Sequence, residues 1–553
     1  MEKRALIAVV MMFMVLIIYN VFLTPKRKPP TEPPAGSPET ADAEQVPGRV
    51  VDEPAAGAES LEISLPADTA PAREVEVTTP LYTARFSSTG GVLTSFRLNG
   101  YLSSTEEPVE LVPQAGRLPL GVALLTGTGE RIDLSQTPFA VSADYLDVAT
   151  GHEASLVFSL ETEDGLRVGK TCTFNGDTYA IDVEIGVSGA GSEGMRAVEF
   201  GWQSGLMSTE ANHKDDLGNF AAITLADDKV VKNSLANFKK RDEIAVGGNV
   251  TWTGVKTKYF LAGLVPLDAT GVLARGFASS EEAIGVVVEV DMPASAAQRF
   301  VVYVGPLDYE GLKKLDLGLD RAVDFGWKWI RPLSRLIFAF MLLCHRAIPN
   351  YGVVIIILSA LTKLLFWPLT QKSFKSMREM QRIQPEMAAM KEKYKNEPQR
   401  LNKAMMGLYK ERGVNPVGGC LPLLLQMPVF ISLFNVLRLT IELRRAPFVL
   451  WINDLSAPDV LARLPFSLPF IGNALSLLPI LMGIAMFLQQ KMSATDPKQA
   501  AMTYMLPIVF TVMFFRFPSG LVLYWLVNNV LTIAHQYLMA RGERTQQVAT
   551  TGG

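Results

Sequence analysis

Two kinds of hydrophobic pattern divide the chain. Long apolar runs occupy residues 5–23, 352–369, 421–437, 474–488, 502–515 and 521–539. At about 1.5 Å per residue these runs approach the ~30 Å hydrocarbon core of a bilayer, and local thinning of the lipid accommodates the shorter ones. The pattern predicts a polytopic α-helical membrane protein with six transmembrane helices.

The region from residue 73 to residue 320 has the pattern of a β-rich domain. Polar and apolar residues alternate in short runs separated by Gly, Asn and Asp, as at 74–77, 81–86, 179–185 and 283–290. A period of two is typical of strands with one buried face. We therefore expect a large antiparallel β-sandwich. Trp202 and Trp252 are expected in its core rather than in a binding groove.

The first apolar run is predicted to be an uncleaved anchor, residues 1–24, rather than a signal peptide. Lys3 and Arg4 precede it, and it ends at Pro25 without a small-residue cleavage pattern. Residues 25–72 are rich in Pro, Ala, Glu and Ser, which predicts a flexible linker.

A shorter apolar stretch, residues 333–348, precedes the second long run. Only 10 residues separate Arg335 from Arg346, and Pro332 and Pro349 bound the stretch. A run of this length is more typical of a helix in the plane of the membrane surface than of a span. We expect an interfacial amphipathic helix here.

Residues 371–415 are predicted to form a charged helical hairpin that breaks at 396–398. It holds 11 Lys and Arg against 5 Asp and Glu, so it suits anionic lipid or ribosomal RNA. A methionine stripe follows the helical period: Met377, Met380, Met387, Met390 and Met405. Methionine suits surfaces that accept many apolar shapes, but two helices packing on each other explain the stripe equally well.

The distribution of charge predicts the orientation. Residues 325–553 hold 25 Lys and Arg against 10 Asp and Glu, although the whole chain has a net charge of −3. With the N-terminus in the cytoplasm, inner segments hold 17 basic residues and outer flanks hold 10. The positive-inside rule then places both termini, including the tail 542–553, in the cytoplasm. The acidic β domain lies outside it, and 325–541 form the membrane domain.

Motifs for catalysis or metal binding are missing from the sequence. The three cysteines and four histidines are scattered, and none stands at metal-ligand spacing. Neither a nucleotide-binding loop nor a His-Glu-x-x-His or Gly-x-Ser-x-Gly motif occurs. We expect no enzyme activity, no cofactor and no bound metal.

Polar residues interrupt three of the predicted spans. Lys363 lies in the second span with Ser359 and Thr362 beside it, and the last span has a polar stripe that includes His535. An ionisable residue inside a membrane predicts a functional cavity, although a lysine near a helix end can instead extend toward the interface. A positive cavity open to the cytoplasm would attract the acidic flank of a nascent chain while its apolar segment enters lipid.

Three other functions fit parts of the pattern. A transporter or channel would place polar residues in its spans, but no internal repeat is present. A carbohydrate-binding or envelope-sensing receptor would use the β domain. An intramembrane enzyme would need one of the motifs that the sequence lacks.

Several motifs resemble the YidC family of membrane protein insertases in its Gram-negative form. They lie at 303–306 (YVGP), 368–370 (PLT), 415–428 (NPVGGCLPLLLQMP), 448–455 (FVLWINDL) and 517–525 (FPSGLVLYW). The resemblance implies a five-helix insertase core with a groove open to cytoplasm and lipid. It also implies a cytoplasmic hairpin that receives substrate and a periplasmic β-sandwich of sugar-mutarotase-like shape without that activity.

The resemblance also implies partners and a groove lining. The partners are nascent membrane proteins, membrane lipids, the ribosome, and the SecYEG translocon with SecDF, and no sequence-specific nucleic acid. The predicted lining consists of Ser359, Thr362, Lys363, Gln426, Phe430, Asn435, Tyr524, Trp525, Asn528 and Thr532. Two positions depart from the family pattern: Lys363 stands where Arg is usual, and Trp525 stands where many relatives have Tyr. Lysine keeps the charge but lacks the planar fork of arginine.

Overall fold

The computed structural model describes residue 65 and residues 72–551, except for 115, 268, 293–296, 414–420, 469–471 and 494–499. The predicted anchor and almost all of the predicted linker fall outside the described residues. The described chain divides into two compact units, one ending at Val323 and one beginning at Asp324. Each unit is described by itself.

The first unit is built from twenty strands. They are β1 Glu74–Thr78, β2 Tyr82–Ser87, β3 Leu93–Leu102, β4 Pro108–Glu110, β5 Val122–Thr126, β6 Arg131–Asp133, β7 Ala140–Val141, β8 Tyr145–Asp147, β9 Glu153–Glu161, β10 Leu166–Asn175, β11 Ala180–Gly189, β12 Met195–Trp202, β13 Ala221–Ala226, β14 Lys229–Ser234, β15 Glu243–Val246, β16 Val250–Lys256, β17 Phe260–Leu267, β18 Leu273–Ala278, β19 Ile284–Asp291 and β20 Gln298–Pro306. The four runs in which alternation predicts strands correspond to β1, β2, β11 and β19. Short helices are α1 His213–Leu217, α2 Leu235–Phe238 and α3 Tyr309–Lys314.

These strands form three sheets. The largest has nine strands in the order β14-β13-β16-β17-β20-β11-β10-β9-β7, the second has six in the order β15-β18-β19-β12-β5-β6, and the third has five in the order β4-β3-β2-β1-β8. All pairings are antiparallel except that of β1 with β8, which is parallel. The unit is the large β-sandwich that the alternation predicts, with one parallel pair added at the edge of its smallest sheet.

Aromatic side chains connect the sheets through the core. The ring of Phe86 in the five-stranded sheet lies 5.7 Å from that of Phe174 in the nine-stranded sheet. Phe200 in the six-stranded sheet lies 4.9 Å from Phe300 in the nine-stranded sheet. Trp202 and Trp252 are completely buried, which confirms their predicted place in the core.

The second unit is mainly helical. Its helices are α4 Arg331–Ala347, α5 Tyr351–Leu365, α6 Trp367–Arg382, α7 Gln384–Lys393, α8 Pro398–Glu411, α9 Leu421–Leu439, α10 Leu478–Ser493, α11 Ala500–Phe514 and α12 Ser519–Thr551. A β-hairpin of β21 Ala462–Leu468 and β22 Gly472–Leu475 precedes α10. The long helix α12 packs against α5, α9 and α10, so one face of α12 supports several neighbours.

The lengths of the helices can be compared with the predicted transmembrane spans. Among the described residues no single helix is both long and apolar enough to cross a bilayer. Helices α5 and α6 pass this test only as a pair, and a bend of 64° separates them. Phe366 lies at that bend with Pro368 in the first turn of α6, so the apolar run 352–369 is divided between two helices. The count of six spans stays a prediction.

Other predicted boundaries need correction. Residues 474 and 475, predicted to start a span, belong to β22, and α10 begins three residues later. The hairpin predicted as two helices consists of three, because Pro385 in the first turn of α7 prevents α6 from continuing past Ile383. Helix α12 runs on to Thr551 and includes most of the predicted tail.

Candidate functional site

A lysine and a threonine on different helices form the centre of the candidate site. Lys363 lies in the last turn of α5 and is half-buried. Its Nζ donates a hydrogen bond to Thr532 Oγ1 of α12 at 2.7 Å. The Thr532 hydroxyl donates in turn to the backbone oxygen of Asn528 at 2.6 Å. The charge of Lys363 is therefore directed onto α12 at a fixed place.

The polar contacts continue along α12 and reach a third helix. Asn528 Nδ2 donates to the backbone oxygen of Tyr524 at 2.9 Å, and Gln426 Nε2 of α9 donates to the Tyr524 hydroxyl at 3.4 Å. We call the five residues Lys363, Thr532, Asn528, Tyr524 and Gln426 the polar row. All five were predicted as groove lining, and the structure brings them together on α5, α9 and α12.

Of three other predicted lining residues, Ser359 and Asn435 do not join this row, whereas Thr362 contacts it. Ser359 is fully buried, and its Oγ donates to the Ile355 oxygen within the same helix at 2.8 Å. Thr362 Oγ1 donates to the Ser359 oxygen at 2.9 Å, and the Thr362 side chain also forms a hydrogen bond with Tyr524 of the row. Asn435 lies against Gly326, where even a methyl group on the glycine would collide with its amide nitrogen. Asn435 therefore supports a backbone turn rather than the row.

Two of the three predicted aromatic residues, Phe430 and Trp525, form a separate cluster beside the row. The Trp525 ring lies 4.9 Å from that of Phe430 in an edge-to-face arrangement. Phe514 and Phe510 of α11 approach the same indole at 5.3 and 5.8 Å. Such pairs stabilise by about 0.5–1.5 kcal/mol each beyond burial of their area. Trp525 thus joins α9, α11 and α12 by packing.

His535 and Trp367 extend the row and were not predicted as lining. The His535 ring is buried and stacks on Trp367 with centroids 3.7 Å apart, and Phe374 meets it edge-on at 5.4 Å. Neither ring nitrogen of His535 has a hydrogen-bond partner among the described residues. In the sequence, the spacing of residues 528, 532 and 535 places His535 on the same helix face as the row. No comparable sequence feature indicates Trp367.

The charged hairpin has a small core of its own. Ile383 and Leu408 are buried against each other, with Met380, Met387, Met390 and Tyr409 packed around them. Arg412 Nη2 and Glu386 Oε1, 2.6 Å apart, form an ion pair between α8 and α7. Three of the five predicted methionines are thus engaged in helix packing. Met377 and Met405 are half-buried, and Met406, which was not predicted, is 67% exposed.

Two of the sequence motifs meet in the helical unit. Ser519 Oγ donates to the Asp454 oxygen at 2.6 Å, and the Gly520 amide donates to the Leu455 oxygen at 3.0 Å. The FVLWINDL segment therefore holds the start of α12. Gly352 of α5 touches Phe448 of the same segment so closely that any side chain there would collide. The motif positions the two helices that carry Lys363 and Thr532.

Among the buried lysines of the first unit, Lys170, Lys256 and Lys258, the most deeply buried is Lys170. Lys170 is fully buried, and its Nζ donates to the backbone oxygens of Gly91 at 2.7 Å and Leu120 at 2.6 Å. Burial lowers the pKa of Lys170 to about 8. Burial also raises the pKa of the Cys172 thiol on the same strand. Across the described residues no group of three or more His, Cys, Asp and Glu could hold a metal ion.

Comparisons with known proteins cover both units. The family model described as "YidC periplasmic domain" matches residues 74–340, and that described as "60Kd inner membrane protein" matches residues 343–547. A membrane protein insertase YidC from Syntrophus aciditrophicus is 36% identical over 97% of this chain and 99% of its own length. The chain belongs to the YidC family of membrane protein insertases. Its counterpart from Pelobacter propionicus is 37% identical over 97% of this chain and 98% of its own length.

Two solved structures are also similar. An active YidC insertase with its first transmembrane domain resolved aligns over 86% of this chain and 94% of its own, with 19% identity and a TM-score of 0.38. A galactose mutarotase related enzyme from Lactobacillus acidophilus aligns over 42% of this chain and 97% of its own, with 13% identity and a TM-score of 0.31. Superpositions this loose support no argument about either unit.

Membership of the YidC family fixes the general function. The chain is an inner-membrane insertase of this family with a periplasmic domain. The periplasmic domain corresponds to the β-sandwich unit, since the matching model begins at β1.

Proposed function

We propose that nascent apolar segments enter the bilayer along the polar row of Lys363, Thr532, Asn528, Tyr524 and Gln426. The observation that carries this proposal is the hydrogen bond from Lys363 to Thr532, which holds a positive charge at the interface of α5 and α12. An acidic flank of a substrate is attracted to that charge while its apolar segment slides past the row into lipid. The remaining predicted lining residues support the helices that carry the row.

The energetics need no chemical step, so we propose that the protein is not an enzyme. Burial of the substrate's apolar segment supplies about 25 cal/mol per Å². The barrier is the polar flank, because each unsatisfied polar group in hydrocarbon costs several kcal/mol. A row of hydrogen-bonding side chains lowers that barrier. The membrane potential assists acidic flanks with about 2.3 kcal/mol per charge per 100 mV.

The proposed orientation has six spans with both termini in the cytoplasm. Its support is the charge asymmetry, 25 basic against 10 acidic residues from residue 325 onward. The apolar run 352–369, which comprises α5 and the start of α6, forms the second span, and the rest of α6 leads into the charged hairpin with α7 and α8. Lys363 then lies about 4 Å along the helix axis from the bend at Phe366, on the cytoplasmic side of the span.

We propose the ribosome, the SecYEG translocon and SecDF as partners. The excess of basic residues in the hairpin 371–415, 11 against 5 acidic, suits the backbone of ribosomal RNA without reading its sequence. Met406 and the half-buried Met377 and Met405 offer apolar contact to an emerging segment. Met380, Met387 and Met390 act by holding this surface together.

Insertion into protein-free lipid tests the proposal. The full chain is reconstituted into liposomes, and ribosomes synthesise a single-span protein with an acidic N-terminal tail. Protease protection reports insertion for wild type, Lys363→Ala and Lys363→Glu. We expect insertion by wild type, a reduced yield with Ala, and a stall with Glu, because a carboxylate repels the acidic tail.

The same assay separates the alternatives. Equal insertion by all three proteins would leave the insertase function intact and remove the charge of Lys363 from its mechanism. Insertion by wild type no better than by empty liposomes would contradict translocon-independent insertion. Leakage of a small solute without insertion would favour a transporter instead.

A further inference from the structure

The segment 325–350 has an unusual charge pattern. It contains Lys328, Arg331, Arg335 and Arg346 and not one Asp or Glu. Lys328, Arg331 and Arg346 form no ion pair within the part of the chain that the structure describes. Surface segments of soluble proteins intersperse both signs of charge. The charges of Lys328, Arg331 and Arg346 are therefore available to an external partner.

Two exposed tryptophans accompany these charges. Trp327 and Trp329 are 46% and 63% exposed, and their rings stack with centroids 6.0 Å apart. Lys328 lies between them in sequence and is exposed. Tryptophan at a surface, next to basic residues, is typical of the boundary between lipid headgroups and acyl chains.

Helix α4 continues the same surface. Ile337, Phe338 and Met341 form its buried face, whereas Leu336 and Leu343, one heptad apart, are 66% and 65% exposed. At about 100° per residue, Arg346 lies about 70° from that exposed leucine strip and flanks it, and Arg331, in the first turn, lies about 130° from the strip on the same side. An apolar strip with a basic flank is the pattern of a helix lying in the membrane interface.

We propose that residues 327–346 form a binding surface for the headgroups of anionic phospholipids. Trp327, Trp329, Leu336 and Leu343 enter the acyl boundary, and Lys328, Arg331 and Arg346 contact the phosphates. Charge complementarity selects this occupant: an anionic headgroup offers a net negative charge, whereas the phosphate of a zwitterionic headgroup is balanced by its own ammonium group. The proposed orientation of the spans decides only which leaflet is contacted, and it places this surface at the periplasmic leaflet. There the basic residues run against the positive-inside trend, and anionic lipid offsets their cost.

Tryptophan quenching by brominated lipid tests this surface. The full chain is reconstituted with phosphatidylglycerol or phosphatidylcholine that carries bromine near the headgroup. The signal that disappears in Trp327→Phe/Trp329→Phe belongs to the segment. We expect stronger association with phosphatidylglycerol, by about fivefold for each basic residue engaged, and a weaker preference at high salt.

Two triple variants that remove the same number of charges, one in the segment and one elsewhere, are compared. Lys328→Gln/Arg331→Gln/Arg346→Gln is expected to bring the phosphatidylglycerol-to-phosphatidylcholine ratio close to one. Lys229→Gln/Lys239→Gln/Lys240→Gln removes the same charge from exposed positions of the first unit and is expected to leave the ratio unchanged. Leu336→Ser/Leu343→Ser is expected to weaken quenching by both lipids while retaining the ratio.

A ratio unchanged by the first triple variant would overturn the proposal and favour an acidic protein as the partner. Insertion of the acidic-tailed substrate is measured on the same preparations. If wild type inserts the substrate but shows no preference for phosphatidylglycerol, this proposal fails and the insertion mechanism stands. If wild type shows the preference but does not insert the substrate, the insertion mechanism fails and this proposal stands.

Discussion

The ammonium group of Lys363 donates a hydrogen bond to the hydroxyl of Thr532, with 2.7 Å between Nζ and Oγ1, and so connects α5 to α12. A lysine has a long flexible stem, so its charge is localised only where an acceptor holds it. In this protein the acceptor is itself held, because the Thr532 hydroxyl donates to the Asn528 oxygen. Thr532 therefore determines where the charge of Lys363 stands.

Replacement of Thr532 by valine tests this relationship. Valine keeps the size and branching of the side chain but removes the acceptor. A hydrogen bond to a charged group contributes about 1.5–3 kcal/mol, so we expect the initial rate of insertion of an acidic-tailed substrate to fall about tenfold or more. Thr532→Ser retains the hydroxyl and is expected to insert at close to the wild-type rate. Equal rates for Val and wild type would show that Lys363 needs no fixed acceptor.

Replacement of Lys363 by arginine tests whether the row needs charge or shape. Arginine keeps the positive charge and replaces the compact ammonium by a planar guanidinium. We expect Lys363→Arg to insert the substrate as well as wild type, whereas the neutral Lys363→Met, similar in length, should be impaired. Liposome insertion assays at two salt concentrations supply the measurement. A defect in the Arg variant as severe as that of Met would mean that the ammonium itself is required.

Stability of the first unit should depend on pH through Lys170. Its folded pKa is about 8 against 10.5 in the unfolded chain, so the unfolded state binds more protons between those pH values. The free energy of unfolding therefore rises with pH across that window. Relative to Lys170→Met, we expect wild type to gain about 3 kcal/mol from pH 7 to pH 10.5.

The measurement is urea unfolding of the fragment 72–323, which contains the complete core of its unit. A Cys172→Ala background removes the neighbouring thiol, whose raised pKa would otherwise contribute an opposite trend. If the difference in unfolding free energy between this background and the same chain with Lys170→Met stayed constant with pH, the pKa of Lys170 would be the same in the folded and unfolded states, and burial would not lower it.

Local periodicity was sufficient to predict much of the β unit. Strands β1, β2, β11 and β19 follow from alternation, because one face of each is buried. The parallel pairing of β1 with β8 did not follow, since β8 is three residues long and too short to show a period. In the helical unit, hydrophobicity marked the helices but not the bend at Phe366, which arises where Pro368 and tertiary packing act together.

The sequence predicts which residues belong to the site, but not which of them contact each other. Helical spacing placed Tyr524, Asn528 and Thr532 on one face, and the structure adds the contacts of that face with Lys363 and Gln426. Sequence could not separate Asn435 from this set, because its contact with Gly326 joins residues 109 positions apart. Trp367 lay outside any period, and only the approach of α12 brings it to His535.

Mutations in the hairpin should separate structural from contacting residues. Leu408 is buried with Ile383, so Leu408→Ala leaves a cavity that costs about 2–5 kcal/mol. We expect faster amide hydrogen exchange throughout α7 and α8 in that variant. Met406 is 67% exposed, so Met406→Ala should leave exchange unchanged and reduce crosslinking of the hairpin to nascent chains. Faster exchange in Met406→Ala would place that side chain in the hairpin core.

Asp459 is expected to fix the start of α10. Its buried Oδ2 accepts hydrogen bonds from the Leu477 and Leu478 amides at 3.0 Å each and from Trp451 Nε1 at 3.1 Å. The carboxylate thus caps a helix N-terminus from a distant loop, where both the amide donors and the helix dipole favour negative charge. Asp459→Ala leaves three donors without an acceptor, and each such loss costs about 1–3 kcal/mol.

We therefore expect Asp459→Ala to lower the Tm of the detergent-solubilised chain and to accelerate amide exchange in the first turn of α10. Asp459→Asn keeps one acceptor oxygen but removes the charge, so its Tm should fall between those of Ala and wild type. Glu392→Ala removes an exposed carboxylate and is expected to leave both measurements unchanged. If Asp459→Ala matched Glu392→Ala, α10 would be held by its packing on α11 and α12 alone, and the loop would be free to vary.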